Sequence, residues 1–483
     1  MLIPAGTFTQ GSPVSELGSF DTERPQREVD VPTFALGQTA VTFDQWDACV
    51  ADGGCTHQPD DNGWGRGDHP VINVSWDDAQ EYVAWLSGKT GHYYRLPSES
   101  EREYATRAGT TGRFNTGDCI TSDEANFLGT EPAEGCPTGI YRARTVPVES
   151  FAPNDLGLYD THGNVWEWGQ DCWNENYVDA PTDGSAWMSG DCSRAVQRGG
   201  SWFRGGQSLR SGNRNSDSRG NRNFTYGFRV ARHVVTTFQD CSDCPTMVSI
   251  PAGTFTQGSP ASEPQSLDRE RPQREVNVPA FAMGQTEVTF EQWDTCVADG
   301  GCSHTPGDSG WGRGDRPVIN VSWTDAQEYV DWLSNKTGHN YRLPSESERE
   351  YATRAGTSGR FNTGDCITTD QANFDGFAPA LGCPTGIDRG QTLPVGSFAP
   401  NAFGLYDTHG NVLEWVQDCW NANYNGAPTD GSAWMSGNCS VAVLRGGSWT
   451  NFGNRLRSAY RTNWTRGARG SNYGFRVARS VDL

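Results

Sequence analysis

The chain is one unit written twice. Ile3-Pro-Ala-Gly-Thr-Phe returns at Ile250, Trp46 at Trp293, Gly157-Leu-Tyr-Asp at Gly404 and Arg198-Gly-Gly-Ser-Trp at Arg445. Each pair lies 247 positions apart (3 to 250, 198 to 445) with no net insertion. Solenoid repeats are several times shorter, so a period this long means tandem domains, each large enough for its own core. The 483 residues divide accordingly: a first copy at 1–233, a connector with a CxxC at 234–246, and a second copy at 247–483.

Abundant glycine (58) and tryptophan (18) with a hydrophobic fraction of only 35% suit a loop-rich fold, in which large rings build the core and glycines turn the chain. No apolar run approaches the roughly 18 residues of a membrane span, so no membrane insertion is expected. A formal charge of −21 argues against general binding to nucleic acid or anionic membranes and favours solubility.

Each copy carries six cysteines: Cys49, Cys55, Cys119, Cys136, Cys172 and Cys192, then Cys296, Cys302, Cys366, Cys383, Cys419 and Cys439. Cys241 and Cys244 complete an even total of 14. Short spacings suggest local bridges 49–55, 119–136 and 172–192 with their counterparts, although about fifteen connectivities are open to six cysteines. No zinc-ribbon spacing accompanies them. Cys241 and Cys244 could hold a metal or a redox centre, but without a βαβ pattern around them a covalent clamp is the better reading. Disulfides on this scale imply an oxidising, extracytoplasmic location, secreted or at the cell surface. The first copy opens abruptly at Met1-Leu-Ile, so the natural N-terminus, with any targeting signal, is expected to lie outside the chain.

Helical periodicity is confined to short stretches. Thr42–Gly54 places Phe43, Trp46, Cys49 and Val50 on one face before a Gly-Gly stop. A second helix opens at Ser75, an N-cap followed by acids, presents Ala79, Tyr82, Val83 and Leu86, and is expected to end at Gly88 and Gly91. Ser98 with Glu101 forms a capping box for a third. The rest reads as short strands and long loops, an α+β unit.

The segments "IPAGTFTQGS", "PVINVSWDDAQEYVAWLSGKTGHYYRLPSESEREYATRAG", "FAPNDLGLYDTHGNVWEW" and "RGGSW…GFRVAR" together resemble the formylglycine-generating enzyme (sulfatase-modifying factor) family over nearly all of each copy. The resemblance implies a loop-rich variant of the C-type lectin fold, often with bound calcium. On the family pattern calcium would be structural, held by Asn164, Val165 and Glu167, then by Asn411, Val412 and Glu414, as hard oxygen ligands. A second family site near Asn126 and Asn373 lacks a clear acidic partner. The family's enzymes oxidise a substrate cysteine through a copper-binding cysteine pair between the RGGSW and GFR motifs, where soft thiolates select Cu(I). Here the intervals Phe203–Tyr226 and Thr450–Tyr473 contain no cysteine, so no copper and no catalytic residue are expected.

Those intervals are also where the copies part company. Only 9 of 24 aligned positions agree, whereas "VTFDQWDACVADGGC" and its counterpart differ at two. Most exchanges, such as Phe203/Thr450, Arg204/Asn451, Gly205/Phe452, Ser208/Arg455, Asn213/Tyr460, Asn215/Thr462, Ser216/Asn463, Asn221/Ala468, Asn223/Gly470, Phe224/Ser471 and Thr225/Asn472, are reachable from an Asn codon by changing its two adenines. Gln207/Asn454 and Asp217/Trp464 also differ, and Gln207 and Trp464 break that rule. The pattern resembles the variable region of proteins targeted by diversity-generating retroelements, and its residue types are those of paratopes. These residues, apart from Gly205, Ala468 and Gly470, are the candidate ligand-binding positions, with Phe203, Phe224, Phe452, Tyr460 and Trp464 as aromatic anchors. Four of the five arginines in each segment are shared between copies, which favours a structural role over nucleic-acid binding. The expected function is ligand binding without chemistry, with a protein as partner. The alternatives are an oxidase with an unrecognised site and a structural or surface repeat protein. Oligomeric state cannot be read from the residues.

Overall fold

The computed structural model describes residues 1–481. The chain divides into two compact units, the first within 1–234 and the second from Val235 onward. Each is a loop-rich α+β domain of C-type lectin-like fold, as the resemblance implies, with three helices set against small sheets.

In the first unit α1 (Phe43–Ala51), α2 (Trp76–Thr90) and α3 (Glu99–Arg107) all begin where local chemistry dictates. The Thr42 and Ser98 hydroxyls accept from the amides of Gln45 and Glu101, whose side chains accept in return from the cap amides. Ser75 and Asp78 exchange the same pair of bonds at the start of α2. That helix runs through Gly88, contrary to the sequence expectation, and stops before Gly91, whose φ of 72° only glycine adopts readily. A lone glycine costs about 1 kcal/mol in a helix, too little to end one that is packed by Tyr82 and Val83.

Two sheets frame the core. One joins Leu2–Ile3, Phe34–Leu36, Ala231–His233 and Tyr94–Arg95 in that order. The other runs Arg214–Ser218, Asp191–Arg198, Trp166–Trp173, Tyr226–Gly227, and its last pair is parallel. Between them Trp46 is fully buried, stacked on Tyr82 at 5.8 Å and edge-on to Phe228 at 6.0 Å. Trp168, equally buried, donates its indole N–H to the Val74 carbonyl, so both large rings bury their area without orphaning a donor.

The second unit repeats this plan with α4 (Phe290–Ala298), α5 (Trp323–Thr337) and α6 (Glu346–Arg354). Residues 235–246, read from the sequence as connector, belong to this unit. Thr237–Phe238 pairs with Met247–Ile250 as an added edge strand, and Cys241–Cys244 closes the turn between them. All fourteen cysteines are bridged: 49–55, 119–136, 172–192, 241–244, 296–302, 366–383 and 419–439.

Candidate ligand-binding surface

The topology explains why the ends of the rewritten segment do not change. It leaves the sheet at Arg198, supplies the outer strand Arg214–Ser218, and returns at Tyr226–Gly227 as the parallel neighbour of Trp166–Trp173. Both ends are ladder positions, and the interior is an excursion held by arginines. Arg198 donates to Glu103 (2.5 Å) and to the carbonyls of Ser211 (2.8 Å) and Gly212 (3.0 Å). Arg210 grips Glu23 with two bonds of 2.6 and 2.7 Å and reaches Glu16 at 2.7 Å. Arg214 is bidentate on Glu99 and lies over the rings of Trp173 and Tyr177 at 4.6 and 4.4 Å. Arg219 covers Trp76, and Arg222 forks onto Asp78.

The second unit reproduces every one of these contacts. Arg457 holds Glu270 and Glu263, Arg461 holds Glu346 between Trp420 and Tyr424, Arg466 covers Trp323 and Arg469 holds Asp325. Planar guanidinium is the one side chain that can fork a carboxylate and stack on a ring at once. Burial works against the charge of Arg214, but the neighbouring Glu99 carboxylate more than offsets it and raises its pKa.

Around this frame the rewritten side chains fall into two groups. In the first unit Phe203 (47% exposed), Arg204 and Asn221 face solvent. Gln207, Ser208, Asn215, Asp217, Asn223 and Phe224 are half-buried. In the second, Thr450, Phe452 (50%), Arg455 and Trp464 (51%) are exposed, and Asn451, Asn454, Thr462, Asn463, Ser471 and Asn472 are half-buried. Four expected contact residues are corrected: Asn213, Ser216, Thr225 and Tyr460 are buried. Tyr460 retains 5% exposure and lies under the Arg269 guanidinium, so it is a packing residue and no anchor. Gln207 is partly committed to the scaffold, since it donates to the Leu17 carbonyl and accepts from Arg113.

Three aromatic residues that the sequence reading passed over complete the first surface. Trp202 touches Phe203 (5.2 Å), Phe224 (5.7 Å), Trp64 (5.1 Å) and Tyr141 (6.0 Å, stacked), and Phe203 meets Phe224 at 5.8 Å. The available signal was Gly63-Trp-Gly, an aromatic in a glycine loop repeated at Gly310-Trp-Gly. In the second unit only the tryptophan pair survives, Trp311 edge-on to Trp449 at 5.1 Å. Its exposed rings are elsewhere: Trp464 beside Tyr473 at 6.4 Å, and Phe452 under Arg455.

The side-chain oxygens expected to hold calcium already have protein partners. Both Glu167 oxygens are taken by arginine, Arg102 and Arg229 each donating at 2.7 Å. Burial pushes the Glu167 carboxyl up, but those two charges outweigh it and hold it below its ordinary range. The Asn164 side-chain oxygen accepts from Val146 N (3.0 Å) and Asn126 Nδ2 (3.1 Å), and Val165 beside it is buried. Glu414 is held in the same way by Arg349 and Arg476, and Asn411 by Leu393 N and Asn373 Nδ2, next to buried Val412. A carboxylate held by two guanidiniums already has its charge balanced, with three of its lone-pair sites filled at Glu167 and four at Glu414. Among the described residues no three His, Cys, Asp or Glu side chains are arranged to hold a metal, and no cysteine is free.

Two loop-rich domains with an arginine-braced excursion between invariant strand ends define a lectin-like scaffold of the sulfatase-modifying kind. Residues 1–234 and 235–481 each match the sulfatase-modifying factor enzyme 1-like domain, and the chain belongs to that family. It is 32% identical over 294 residues to the formylglycine-generating enzyme of Mus musculus, covering 48% of this chain and 74% of that one. With the serine/threonine-protein kinase Pkn1 of Chlamydia trachomatis it shares 36% identity over 174 residues, 35% of this chain, and so spans only 25% of that relative's length. Among solved structures, variable protein 1 of Treponema denticola is 26% identical, with a TM-score of 0.42 over 52% of this chain and 100% of that one.

Proposed function

We propose that this chain is a non-catalytic binding protein whose two domains each present the interval between the RGGSW and GFR motifs to a protein ligand. One observation carries the reading: most side chains shared by the two intervals are buried in the frame, and the side chains exposed to solvent, the Arg222/Arg469 pair apart, are rewritten ones. Arg210, Arg214 and Leu209 are buried and shared; Phe203, Arg204, Phe452, Arg455 and Trp464 are exposed and differ. The buried arginines hold the backbone of the interval in place, and a preorganised backbone lowers the ordering cost of binding. The residue types suit a broad protein epitope better than a small polar sugar. Adenine-directed diversification is the source of variation that the codon pattern supports, and a neighbouring reverse transcriptase with a template copy of the segment tests it. Seven disulfides support release into an oxidising compartment, secreted or at the cell surface.

The family's oxidase activity is the second reading, favoured by family membership and opposed by the want of a thiol pair in either interval. Incubating the purified protein with Cu(I), oxygen and a sulfatase-motif peptide separates the two. No formylglycine is expected, and its formation would overturn the binding reading.

A further inference from the structure

Two loops outside the rewritten interval border the first surface. The Leu128 amide donates to the Arg204 carbonyl at 3.0 Å, and Leu128 pairs with Tyr141 in an antiparallel bridge. That tie holds the Tyr141 ring flat against Trp202, where it extends the patch of Trp64, Phe203 and Phe224. Beside these rings the exposed Arg204 guanidinium makes no ion pair among the described residues. The second unit keeps the backbone device, with the Asp375 amide donating to the Asn451 carbonyl at 3.0 Å. Its side chains are of another kind. Leu128, Tyr141 and Arg204 become Asp375, Asp388 and Asn451, a formal charge of +1 against −2 at the same three places. Asp375 is half-buried and Asp388 exposed, each accepting from a backbone amide two residues on, and neither is ion-paired among the described residues.

Resting on the binding reading above, we propose that Leu128 and Tyr141 are specificity-determining residues of the first surface, and Asp375 and Asp388 of the second. The first surface takes a protein segment that lays an aromatic or aliphatic side chain on the rings and sets a neighbouring carboxylate against Arg204. The second surface excludes that same segment, because its carboxylate would face Asp375 and Asp388. Discrimination by an unfavourable charge is as effective as an added attraction. Glu131 flanks Gly205 in the first unit and Arg455 covers Phe452 in the second, so the distinction rests on the Tyr141/Asp388 and Leu128/Asp375 exchanges more than on net charge. Ring clusters of this kind supply the anchoring pockets of interfaces, and an unpaired arginine on their rim supplies orientation.

The test uses the full chain, immobilised, and a phage library of random 12-residue peptides. Selected peptides are expected to carry Trp, Phe or Leu next to Asp or Glu. Their synthetic forms should lose about tenfold or more in affinity on Tyr141→Asp, as for an interface anchor. Tyr141→Phe should bind as the parent does, which also reports intact folding, and Arg204→Asn should weaken binding and flatten its salt dependence. Peptides that lose binding on Phe203→Ala but not on Tyr141→Asp would overturn this proposal and leave the binding reading standing. Selected peptides without acidic residues would overturn the Arg204 pairing and with it the proposed ligand. A selection that never rises above the uncoated surface would overturn the binding reading itself.

Discussion

Removing Arg210 leaves the fully buried Glu23 carboxylate without its two-pronged partner. Arg210→Ala should therefore cost the first unit about 3–5 kcal/mol in urea unfolding, because a buried charge is stranded. The added change Glu23→Gln should recover part of that loss. Phe203→Ala, on the exposed face of the same interval, should change stability by no more than about 0.5 kcal/mol while weakening ligand binding. A binding role makes that division of effects, whereas a purely structural interval would lose stability at both. Glu287 is a different case: it is fully buried, both its oxygens lack a hydrogen-bond partner, and the first unit has Ala40 in its place. Burial first, then the Asp407 charge, push its carboxyl well above the ordinary range, and Asp407 itself is raised to about 6. The folded second unit thus holds protons that the unfolded chain releases. Stability from them is complete below the ordinary carboxylate pKa and is lost as pH rises toward the folded values. Glu287→Ala should raise the thermal midpoint of the second unit more at pH 8 than at pH 5; an equal gain at both would contradict the assignment.

Among the elements, helix starts and disulfides are the most local features, and they were the most legible. Thr42 with Gln45 and Ser98 with Glu101 need only a three-residue spacing to be recognised, and all bridges join cysteines no more than 20 positions apart. The Gly88 stop was misread because the packing of α2 carries the helix past that glycine to Gly91, the second stop expected from the sequence. Each long-loop bridge should count. Replacing Cys119 and Cys136, which close a span of 17 residues, by Ser should cost the first unit about 3 kcal/mol in the chain-entropy account, measured by denaturant unfolding. Non-reducing peptide mapping should recover all seven pairs.

On the scale of the whole molecule, the same frame carries two faces of different chemistry. The first gathers four rings around Trp202, and the second separates Trp464 from the Trp311–Trp449 pair and sets acids on its border loops. A ligand selected on the first face should keep its affinity when Trp464→Ala is made in the second, and lose it when Phe224→Ala is made in the first. Titration of both variants with one labelled peptide measures this directly. Equal losses would mean that the two copies do not bind independently.

By itself the sequence determined the tandem repeat, the α+β class, the family, the caps and the interval where the copies diverge, and it pointed to the disulfide partners. All of these are written in short spacings or in comparison of one half with the other. Only the tertiary structure decided which rewritten side chains meet solvent and which carboxylates are already spent. Tyr460 is buried by Arg269, from a turn near the other end of its domain, and Glu167 is neutralised by Arg102, 65 positions earlier. Tyr141 joins the first surface by stacking on Trp202 across a similar distance in the chain. Exposure and charge pairing are sums over distant neighbours, and residue type and local spacing do not contain those sums.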